Sequence, residues 1–347
     1  MALWRVCSSE NLATADLSAR WPSGTSQASI TSGVVGNAIL LSGASGGYLW
    51  YQHPTGHTSV WCAFDMKYTG AYSDGYTWLQ FGDTSYKKVH LQIHSSHYMK
   101  AWRGPNSESC TNNYCNGTEL GTGTFYISYD TWYHFQVEVT VDGSAGIVKT
   151  WINGVADLNL TSQNTQPTGG VATVTRINFW GGVGTYDNFV YGDASGSVNI
   201  HPPGVARVDA HVPVSPNGSD SEWTRSTGSD NWVLVDDAAA STGTGDYIES
   251  SAVGDQTSFH VEALKVAGGV MYGAQVTAYL SKVNAGPGLV KPYVLRGGTR
   301  YYGPEWAPSF GSWQFFQYVW DQDPAAGPGA WTETNFNNSE FGLERTA

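Results

Sequence analysis

The residues of this chain that could perform acid–base chemistry are few, and their spacing argues against catalysis. Glycoside hydrolysis needs two carboxylates that flank the scissile bond, and a strand supplies them when acidic residues alternate on one face. The nearest candidates are Glu138 and Asp142 in the segment VEVTVDG. Asp142 precedes Gly143, and an Asp-Gly pair is typical of a two-residue hairpin turn for backbone reasons alone. We therefore predict that neither residue is catalytic and that the chain is not an enzyme.

The histidines and the adjacent acidic residues do not form a complete group of metal ligands or catalytic residues. His90 and His94 in the segment VHLQIHSSHYMK would share one face of a strand, but neither has a carboxylate at matching spacing. We interpret these two residues and His97 as ordinary surface histidines, and we predict no metal and no cofactor. Asp236 and Asp237 would point to opposite faces of a strand, so they cannot act on one substrate atom.

Aromatic side chains are the better candidates for ligand binding, because aromatic rings stack on the apolar faces of sugars. The segments TGAYSDGYTW and HYMKAWRGP supply Tyr72, Tyr76, Trp78, Tyr98 and Trp102. Two interpretations remain open: an exposed rim of loops that binds a glycan, or packing in the core or against another subunit, where Trp and Tyr are also frequent. We favour packing. Calcium would need several oxygen ligands in one place. The candidate calcium ligands in the sequence are Asp74, Asp83 and Asp187.

The four cysteines are too few for a disulfide framework or a zinc site. Cys110 and Cys115 lie in the loop CTNNYC and could form a disulfide in an oxidising environment. Cys7 and Cys62 lie in predicted strands, where we expect them to be buried as small apolar residues.

Short strands are predicted to position these residues. From Trp61 to Trp180, alternating segments recur about every ten residues with almost no helical periodicity, which is typical of a sandwich or jelly roll. The segment WYHFQVEVTVDGSAGIVKTWING predicts a hairpin through Asp142-Gly143 that ends on a second turn at Asn153-Gly154. The pair Gly297-Gly298 predicts a further hairpin. The segments TFYISY and NWVLVDD are predicted strands, and WTETNFNNSEFG a short helix.

The segment GDASGSVNIHPPG, from 192 to 204, interrupts the strand pattern with glycines, serines and two prolines. We place the domain boundary there. The prediction is a first domain over 1–195, a linker over 196–204 and a second β-sandwich over 205–347.

Four segments resemble laminin-G-like, concanavalin A-like jelly rolls: ENLATADLSARW, VGNAILLSG, WYHFQVEVTVDGSAGIVKTWINGV and YDNFVYGD. In that family the central strands commonly read Trp-Tyr-His and then end in Asn-Gly. The last strand commonly carries an Asp-Asp or Asp-Asn pair before apolar residues, matched here by Asp187 and Asn188. The resemblance implies an all-β chain, with a concanavalin A-like (laminin-G-like) jelly-roll sandwich followed by a second β-sandwich domain.

Later segments extend the resemblance over nearly the whole chain. SEWTRSTGSDNWVLVDDAA, DYIESSAVGDQTSFHVEAL, RGGTRYYGP and VWDQDPAAGPGAWTETNFNNSEFGLERT are similar to the carboxy-terminal half of structural proteins from tailed bacteriophages. This similarity implies a non-enzymatic virion protein, first of all a tail-associated fibre, baseplate or adsorption component. A capsid decoration protein on the head and a glycan-binding, lectin-like module that contacts the host surface are the alternatives.

Composition and charge restrict the partners. The chain has 17 basic and 29 acidic residues, a net charge of −12 and no cluster of Lys and Arg. We therefore expect neither nucleic acid nor an anionic membrane surface as a partner. No signal-like start or long apolar run is visible, so we expect synthesis in the host cytoplasm and assembly into the virion. Few charged residues, 13%, and many aromatic ones, 14%, predict surfaces that contact other virion proteins or further copies. The resemblance to phage structural proteins, whose assemblies have threefold and sixfold symmetry, implies a homotrimer.

Overall fold

The computed structural model describes residues 28–34, 36–41, 48–69, 77–85, 87–104, 117–180, 184–236, 245–265, 268–327 and 329–347, and the backbone of residues 3–7. The chain divides into two compact units. Unit 1 comprises Met1–Ala2, Val6–Glu10 and Thr14–Val208. Unit 2 comprises Leu3–Arg5, Asn11–Ala13 and Asp209–Ala347. The predicted linker, 196–204, is therefore part of unit 1.

Two antiparallel sheets form unit 1. In the described part of the chain up to Asp193, the strands are β1 (Leu3–Cys7), β2 (Ala28–Ser32), β3 (Asn37–Leu41), β4 (Tyr48–His57), β5 (Ser59–Tyr68), β6 (Thr77–Gly82), β7 (Lys87–Ile93), β8 (Met99–Arg103), β9 (Thr118–Thr122), β10 (Thr131–Thr140), β11 (Gly146–Ile152), β12 (Val155–Gln163), β13 (Val174–Trp180) and β14 (Gly184–Asp193). Sheet A has the order β12-β11-β10-β5-β14-β3-β2, and sheet B has the order β4-β13-β6-β7-β8-β9.

The central hairpin of sheet A forms where the sequence predicts it. Strands β10 and β11 pair from Phe135 with Ile152 to Thr140 with Ile147. Between them, Oδ1 of Asp142 accepts hydrogen bonds from the backbone N–H groups of Ser144 and Ala145, each at 2.7 Å. These local bonds stabilise the turn, and the hairpin prediction is confirmed.

The turn between β11 and β12 needs two residues with positive φ. Asn153 has φ 51° and Gly154 has φ 79°, a combination that matches the right-handed twist of a hairpin. The Gly297-Gly298 turn in unit 2 has the same character, with φ 57° and 79°. Both turn predictions are confirmed.

Aromatic side chains from both sheets fill the space between them. The ring of Phe64 on β5 lies 4.8 Å from that of Phe179 on β13, in an edge-to-face contact. The indole of Trp78 on β6 lies 5.2 Å from the ring of Phe135 on β10. Cys62 is fully buried beside them, as predicted. This two-sheet core confirms the prediction of a concanavalin A-like jelly-roll sandwich.

The segment Ala194–Val208, here called the closing segment, returns along the outer face of sheet A. The indole N–H of Trp61 on β5 donates to the carbonyl oxygen of Asn199 at 2.9 Å. The side chain of His201 lies 3.0 Å from Oε2 of Glu138 on β10. Trp61 and Glu138 are buried as a result. The closing segment therefore covers part of the outer face of sheet A, over strands β5 and β10.

The residues that carry the laminin-G-like resemblance hold this segment in place. His134 has Nδ1 2.8 Å from Oδ1 of Asp65 and Nε2 3.0 Å from the carbonyl oxygen of Gly204. Asn188, with φ 52°, donates to Asp65 and accepts from the N–H of Val208 at 3.1 Å. The Trp-Tyr-His and Asp-Asn motifs are thus structural in this chain.

Unit 2 is also built from antiparallel strands. The described strands are β15 (Pro213–Ser221), β16 (Thr224–Arg225), β17 (Ile248–Glu249), β18 (Gln256–Val261), β19 (Ala274–Leu280), β20 (Val290–Arg296), β21 (Thr299–Tyr302), β22 (Gln314–Trp320) and β23 (Glu340–Arg345). One sheet has the order β15-β18-β23-β20-β21, and the pairs β16-β17 and β19-β22 form two-stranded ribbons. No helix among the described residues is long and apolar enough to cross a membrane.

A separate core joins the layers of unit 2. Its buried residues come from the five-stranded sheet, the β19-β22 ribbon and a short helix: Ala274, Val294, Trp320, Trp331, Phe336 and Phe341. The helix spans Glu333–Asn337 and begins at Thr332, whose hydroxyl accepts from the N–H of Asn335 at 3.1 Å. The predictions of a second sandwich and of this helix are confirmed.

Two predicted strands are wrong for a common reason. In the segment TFYISY, the N–H groups of Thr124 and Phe125 donate to the Asp157 carboxylate at 2.6 and 2.8 Å, and no ladder forms. In NWVLVDD, Trp232–Leu234 forms a 3₁₀ turn, and the N–H of Trp232 donates to the side chain of Asn217 at 3.1 Å. Side chains distant in sequence satisfy the backbone in both cases.

Candidate functional site

The outer face of sheet B is the candidate ligand-binding surface, since the closing segment covers part of the outer face of sheet A. Alternation places Leu79, Val89 and Leu91 towards the core. Their neighbours along the strands point outward. We call the outward set the polar–aromatic face and include Lys87, which lies beside a register shift and has its Nζ 5.6 Å from the centroid of the Trp180 ring. Its members are Tyr48, Trp50, Gln52, Gln80, Gly82, Lys87, His90, Gln92, Lys100, Trp102, Glu119, Arg176, Asn178 and Trp180.

Strand register aligns five of these residues in one row across the sheet. Trp50 on β4 pairs with Asn178 on β13, and Asn178 pairs with Gln80 on β6. Gln80 pairs with His90 on β7, which pairs with Trp102 on β8. At a strand spacing of ~4.8 Å, the row is about 19 Å long. The result is a polar floor with an indole at each end.

The floor of the row is buried and polar. Asn178, Gln80 and His90 are each at most 6% exposed. The indole N–H of Trp180 donates to Oε1 of Gln80 at 3.1 Å, and the His90 ring is parallel to that of Trp102 with centroids 6.4 Å apart. These contacts fix the orientation of the floor side chains.

Two polar atoms of the row lack partners. Oδ1 of Asn178 and Nε1 of Trp102 are buried and make no hydrogen bond to any residue that the structure describes. A buried polar atom without a partner costs ~1–3 kcal/mol. One atom needs a donor and the other an acceptor, and a sugar hydroxyl can serve as either.

Cationic side chains lie over the indole rings of the face. The three tryptophan–cation pairs are Arg176 over Trp50 at 4.3 Å, Lys87 over Trp180 at 5.6 Å and Lys100 over Trp102 at 5.9 Å, measured from the cationic group to the ring centroid. Such contacts contribute ~0.5–1 kcal/mol each at exposed sites and hold the indoles in place.

The face carries charged side chains of both signs. Nζ of Lys100 lies 3.2 Å from Oε2 of Glu119. The hydrogen bond from Thr122 to Glu119, together with Lys100, lowers the pKa of that carboxyl. Burial lowers the pKa of Lys87 to about 8. The face therefore holds three basic side chains and one carboxylate.

The described aromatic candidates, Trp78, Tyr98 and Trp102, occupy different environments. Trp78 is fully buried between Phe64 and Phe135 and belongs to the core. Trp102 is half-buried on strand β8 and not on a loop. Tyr98 is half-buried beside Tyr126, with ring centroids 6.0 Å apart. Tyr72 and Tyr76 lie outside the described residues, as do Asp74, Cys110, Cys115 and Asp237, and the side chain of Cys7.

The other candidates are separated from one another. Glu138 contacts His201 under the closing segment, whereas Asp142 lies in the exposed turn after β10. Asp83 forms an ion pair with Lys88 at 2.8 Å. Asp187 is buried and accepts from the N–H of Asn188. These contacts do not bring the predicted carboxylates together.

The histidines differ from their prediction in one respect. His94 and His97 make local contacts, to Ser96 at 2.9 Å and to the carbonyl oxygen of Ile127 at 2.8 Å. His90 is fully buried in the row, so its interpretation as a surface histidine is wrong. Across the described residues, no group of three or more His, Cys, Asp or Glu side chains is placed to hold a metal ion.

The sequence analysis did not identify most residues of the polar–aromatic face. A usable signal is the alternation within β13, where Arg176, Asn178 and Trp180 occupy every second position of VTRINFW. Tyr48, Trp50 and Gln52 repeat the pattern in YLWYQ on β4. When aromatic and polar residues occupy one face of a strand and apolar residues the other, both faces of the sheet are expected to make contacts.

Comparisons with known proteins give structural similarity alone. No family model matches the chain, and no curated protein matches it. Similar solved structures include alginate lyase Aly36B, at 15% identity over 54% of this chain and 96% of that one, with a TM-score of 0.37. The carbohydrate-binding module CBM66 from Bacillus subtilis is 10% identical over 48% and 92%, with a TM-score of 0.31.

A third similar structure is domain 4 of AbnA, an extracellular arabinanase from Geobacillus stearothermophilus, in complex with arabinotriose. It is 16% identical over 48% of this chain and 75% of that one, with a TM-score of 0.33. At these identities and TM-scores, the similarities carry no argument about what this chain binds.

Proposed function

We propose that unit 1 binds a glycan on the polar–aromatic face and does so without catalysis. The observation that carries the proposal is the row from Trp50 to Trp102, in which indoles flank buried polar side chains in register across five strands. Pyranose rings present apolar faces that stack on indoles and hydroxyl groups that reach amides. Such a row matches both properties along the length of an oligosaccharide.

Binding rather than hydrolysis is supported by the distribution of carboxylates. Glu119 is the carboxylate of the face, and it is held by Lys100 and Thr122. A glycosidase needs a second carboxylate across the scissile bond. Asp83, which follows β6 of the same sheet, is paired with Lys88. Glu138, the candidate from sequence, lies on the other sheet.

The biological setting follows from the sequence resemblance alone. The chain is proposed to be a structural component of a tailed-phage virion, in which glycan binding would serve adsorption to the host surface at the tail. Capsid decoration is the alternative setting. Imaging of purified particles with a label on this chain distinguishes the two, because tail labelling supports adsorption and head labelling supports decoration.

Binding of the full chain to a panel of bacterial surface polysaccharides and β-glucans tests the proposed function. Removing one stacked indole by Trp102→Ala should weaken binding roughly tenfold, because burying an aromatic ring contributes ~1–3 kcal/mol and 1.4 kcal/mol corresponds to one decade. Thermal unfolding should change little, because Trp102 is half-buried on an outer face.

Trp132→Ala is the matched control, since Trp132 is a half-buried indole on sheet A with Lys67 5.8 Å away. It should leave binding unchanged. The same polymers, incubated with the chain, should release no new reducing ends. The proposal would be contradicted if Trp102→Ala and Trp132→Ala changed binding equally, or if the chain bound none of the polymers. Release of reducing ends would contradict the absence of catalysis.

A further inference from the structure

We propose that unit 1 binds a divalent transition-metal ion, such as zinc, at the end of strand β4. The ligand atoms are Nδ1 of His53, Nε2 of His57 and the hydroxyl oxygen of Thr55. None of these residues belongs to the polar–aromatic face, so the proposal does not rest on glycan binding.

An irregular stretch of β4 brings these residues together. In a regular strand, residues four positions apart are separated by about 13 Å, too far to share one ligand. Here Gln52 pairs with Arg176 and His57 pairs with Val174, so β4 advances five residues where β13 advances two. The additional residues of β4 form a bulge. As a result, the ring centroids of His53 and His57 are 4.7 Å apart.

Gly56 allows the bulge to pack closely. A Cβ atom at this position would lie 2.8 Å from Cβ and Oγ1 of Thr173, which precedes β13. Unbonded heavy atoms do not pack so closely, so the position requires glycine. His57 follows directly, and its place beside His53 depends on this contact between the two segments.

The three ligand atoms form a nearly equilateral triangle. Nδ1 of His53 lies 3.1 Å from Nε2 of His57, and Oγ1 of Thr55 lies 3.0 and 3.1 Å from these two nitrogens. For a metal ion ~2.0–2.1 Å from each atom, the usual Zn–N distance, any two ligands would subtend about 97°. This value lies between the ligand angles of octahedral and tetrahedral sites, so the ion fits with little movement of the side chains.

A buried carboxylate orients His57. Oδ2 of Asp193 lies 2.9 Å from Nδ1 of His57, and Asp193 is 1% exposed. Its Oδ1 accepts hydrogen bonds from the backbone N–H and the hydroxyl of Ser195, at 2.6 and 2.5 Å. A proton held on Nδ1 by this carboxylate leaves the lone pair of Nε2 directed at the triangle. Metal-binding histidines commonly donate their second N–H to a carboxylate in this way.

A proton is the alternative occupant of the contact between the two rings. Without a metal, a neutral His53 ring with its proton on Nδ1 can donate to Nε2 of His57. Metal binding needs the other tautomer of His53, with the proton on its own Nε2. The backbone of Thr55 lies close to Nδ1 of His53, with the carbonyl oxygen at 3.0 Å and the N–H nitrogen at 3.3 Å. Each tautomer therefore retains a backbone partner.

The donor set selects the class of metal. Two imidazoles suit zinc, nickel and copper, whereas Ca²⁺ and Mg²⁺ prefer several oxygen ligands. The third donor is a hydroxyl, so the set differs from the groups of three His, Cys, Asp or Glu that the described residues lack. Thr55 is exposed and the two histidines are half-buried, which allows water to complete the coordination.

Titration of the full chain with ZnCl₂, after removal of metals with a chelator, tests the proposal. Calorimetry should detect zinc binding at neutral pH and at least tenfold weaker binding of Ca²⁺ and Mg²⁺. Zinc should also raise the Tm of the chain, because the three ligand atoms converge only in the folded state.

Two substitutions assign the binding to residues. His53→Gln and, independently, His57→Gln should each lower the zinc affinity at least tenfold and remove the zinc-dependent rise in Tm, since loss of an outer-shell partner alone costs 10–100-fold. His94→Gln is the matched control, because His94 is a half-buried histidine of the same unit that contacts a serine at 2.9 Å. It should change neither property. The Tm of each variant without zinc identifies a substitution that acts through the fold.

Each outcome decides one part of the proposal. If the full chain binds no zinc, the proposal is overturned and a proton occupies the contact between the rings. Zinc binding that both histidine variants retain would overturn the assignment to His53 and His57. Equal affinities for Zn²⁺ and Ca²⁺ would contradict the proposed donor set. Glycan binding is measured on the polymers and is not affected by any of these results.

Discussion

At the scale of single residues, some buried polar groups of the molecule have hydrogen-bond partners and others have none among the described residues. His134, Asp65 and Asn188 are buried polar residues on sheet A, and the chain's own closing segment satisfies them. Asn178 and Trp102 on sheet B each keep a buried polar atom that no described residue satisfies. Gln136 on sheet A also keeps a buried Nε2 atom that no described residue satisfies, so the two sheets differ in the closing segment that contacts sheet A and not in every polar partner.

The structural role of His134 can be tested directly. His134→Ala should lower the free energy of unfolding of unit 1 by about 1–3 kcal/mol, because the Asp65 carboxylate and the Gly204 carbonyl would each lose a buried partner. Glycan affinity should not change. Urea unfolding and titration of the same sample measure the two properties.

Thr131→Ala, at the exposed start of the same strand, is the control and should shift the free energy of unfolding by no more than about 0.5 kcal/mol. A His134 variant of normal stability would mean that the closing segment is held by other contacts.

At the scale of strands and turns, local chemistry made much of unit 1 predictable. Asp142 closes its turn with its own carboxylate, and Asn153-Gly154 adopts the positive φ angles that this dipeptide favours. The face was not predictable, since it depends on the register of six strands and on a closing segment that meets His134 seventy positions away. The positions of the aromatic candidates depend on the same register: Trp78 points into the core, in agreement with the favoured packing interpretation, and Trp102 lies in strand β8.

The turn after β11 allows a test of this local control. Gly154→Ala should destabilise the protein by about 1–2 kcal/mol, because φ 79° brings an L side chain close to its own carbonyl oxygen. A Cβ at this position would meet Val205 at 3.6 Å, an ordinary contact, so the cost arises from the backbone.

Gly143 is the matched control. It is exposed, like Gly154, its φ is not among the positive values, and a Cβ there would meet only Gln166 at 3.8 Å. Gly143→Ala should change the free energy of unfolding by less than about 0.5 kcal/mol. If urea unfolding shows that both variants lose the same free energy of unfolding, the positive φ of Gly154 is not the reason for the destabilisation.

At the scale of the whole molecule, the chain combines two β-sandwich units with separate cores. Unit 1 carries the polar–aromatic face. Unit 2 exposes apolar side chains, among them Val283 at 86% and Phe310 at 58%, and exposed apolar groups of this kind are frequent where protein surfaces meet. The homotrimer and the contacts with other virion proteins stay predictions from composition and resemblance.

The location of a bound oligosaccharide tests the central claim most directly. A crystal structure of the chain with an oligosaccharide from a polymer that it binds should show sugar rings stacked on Trp50 and Trp102. Hydroxyl groups should lie within hydrogen-bond distance of Oδ1 of Asn178 and Nε1 of Trp102. An oligosaccharide bound at the loops around Tyr98 and Tyr126, on sheet A or on unit 2, with the row of sheet B empty, would contradict the account.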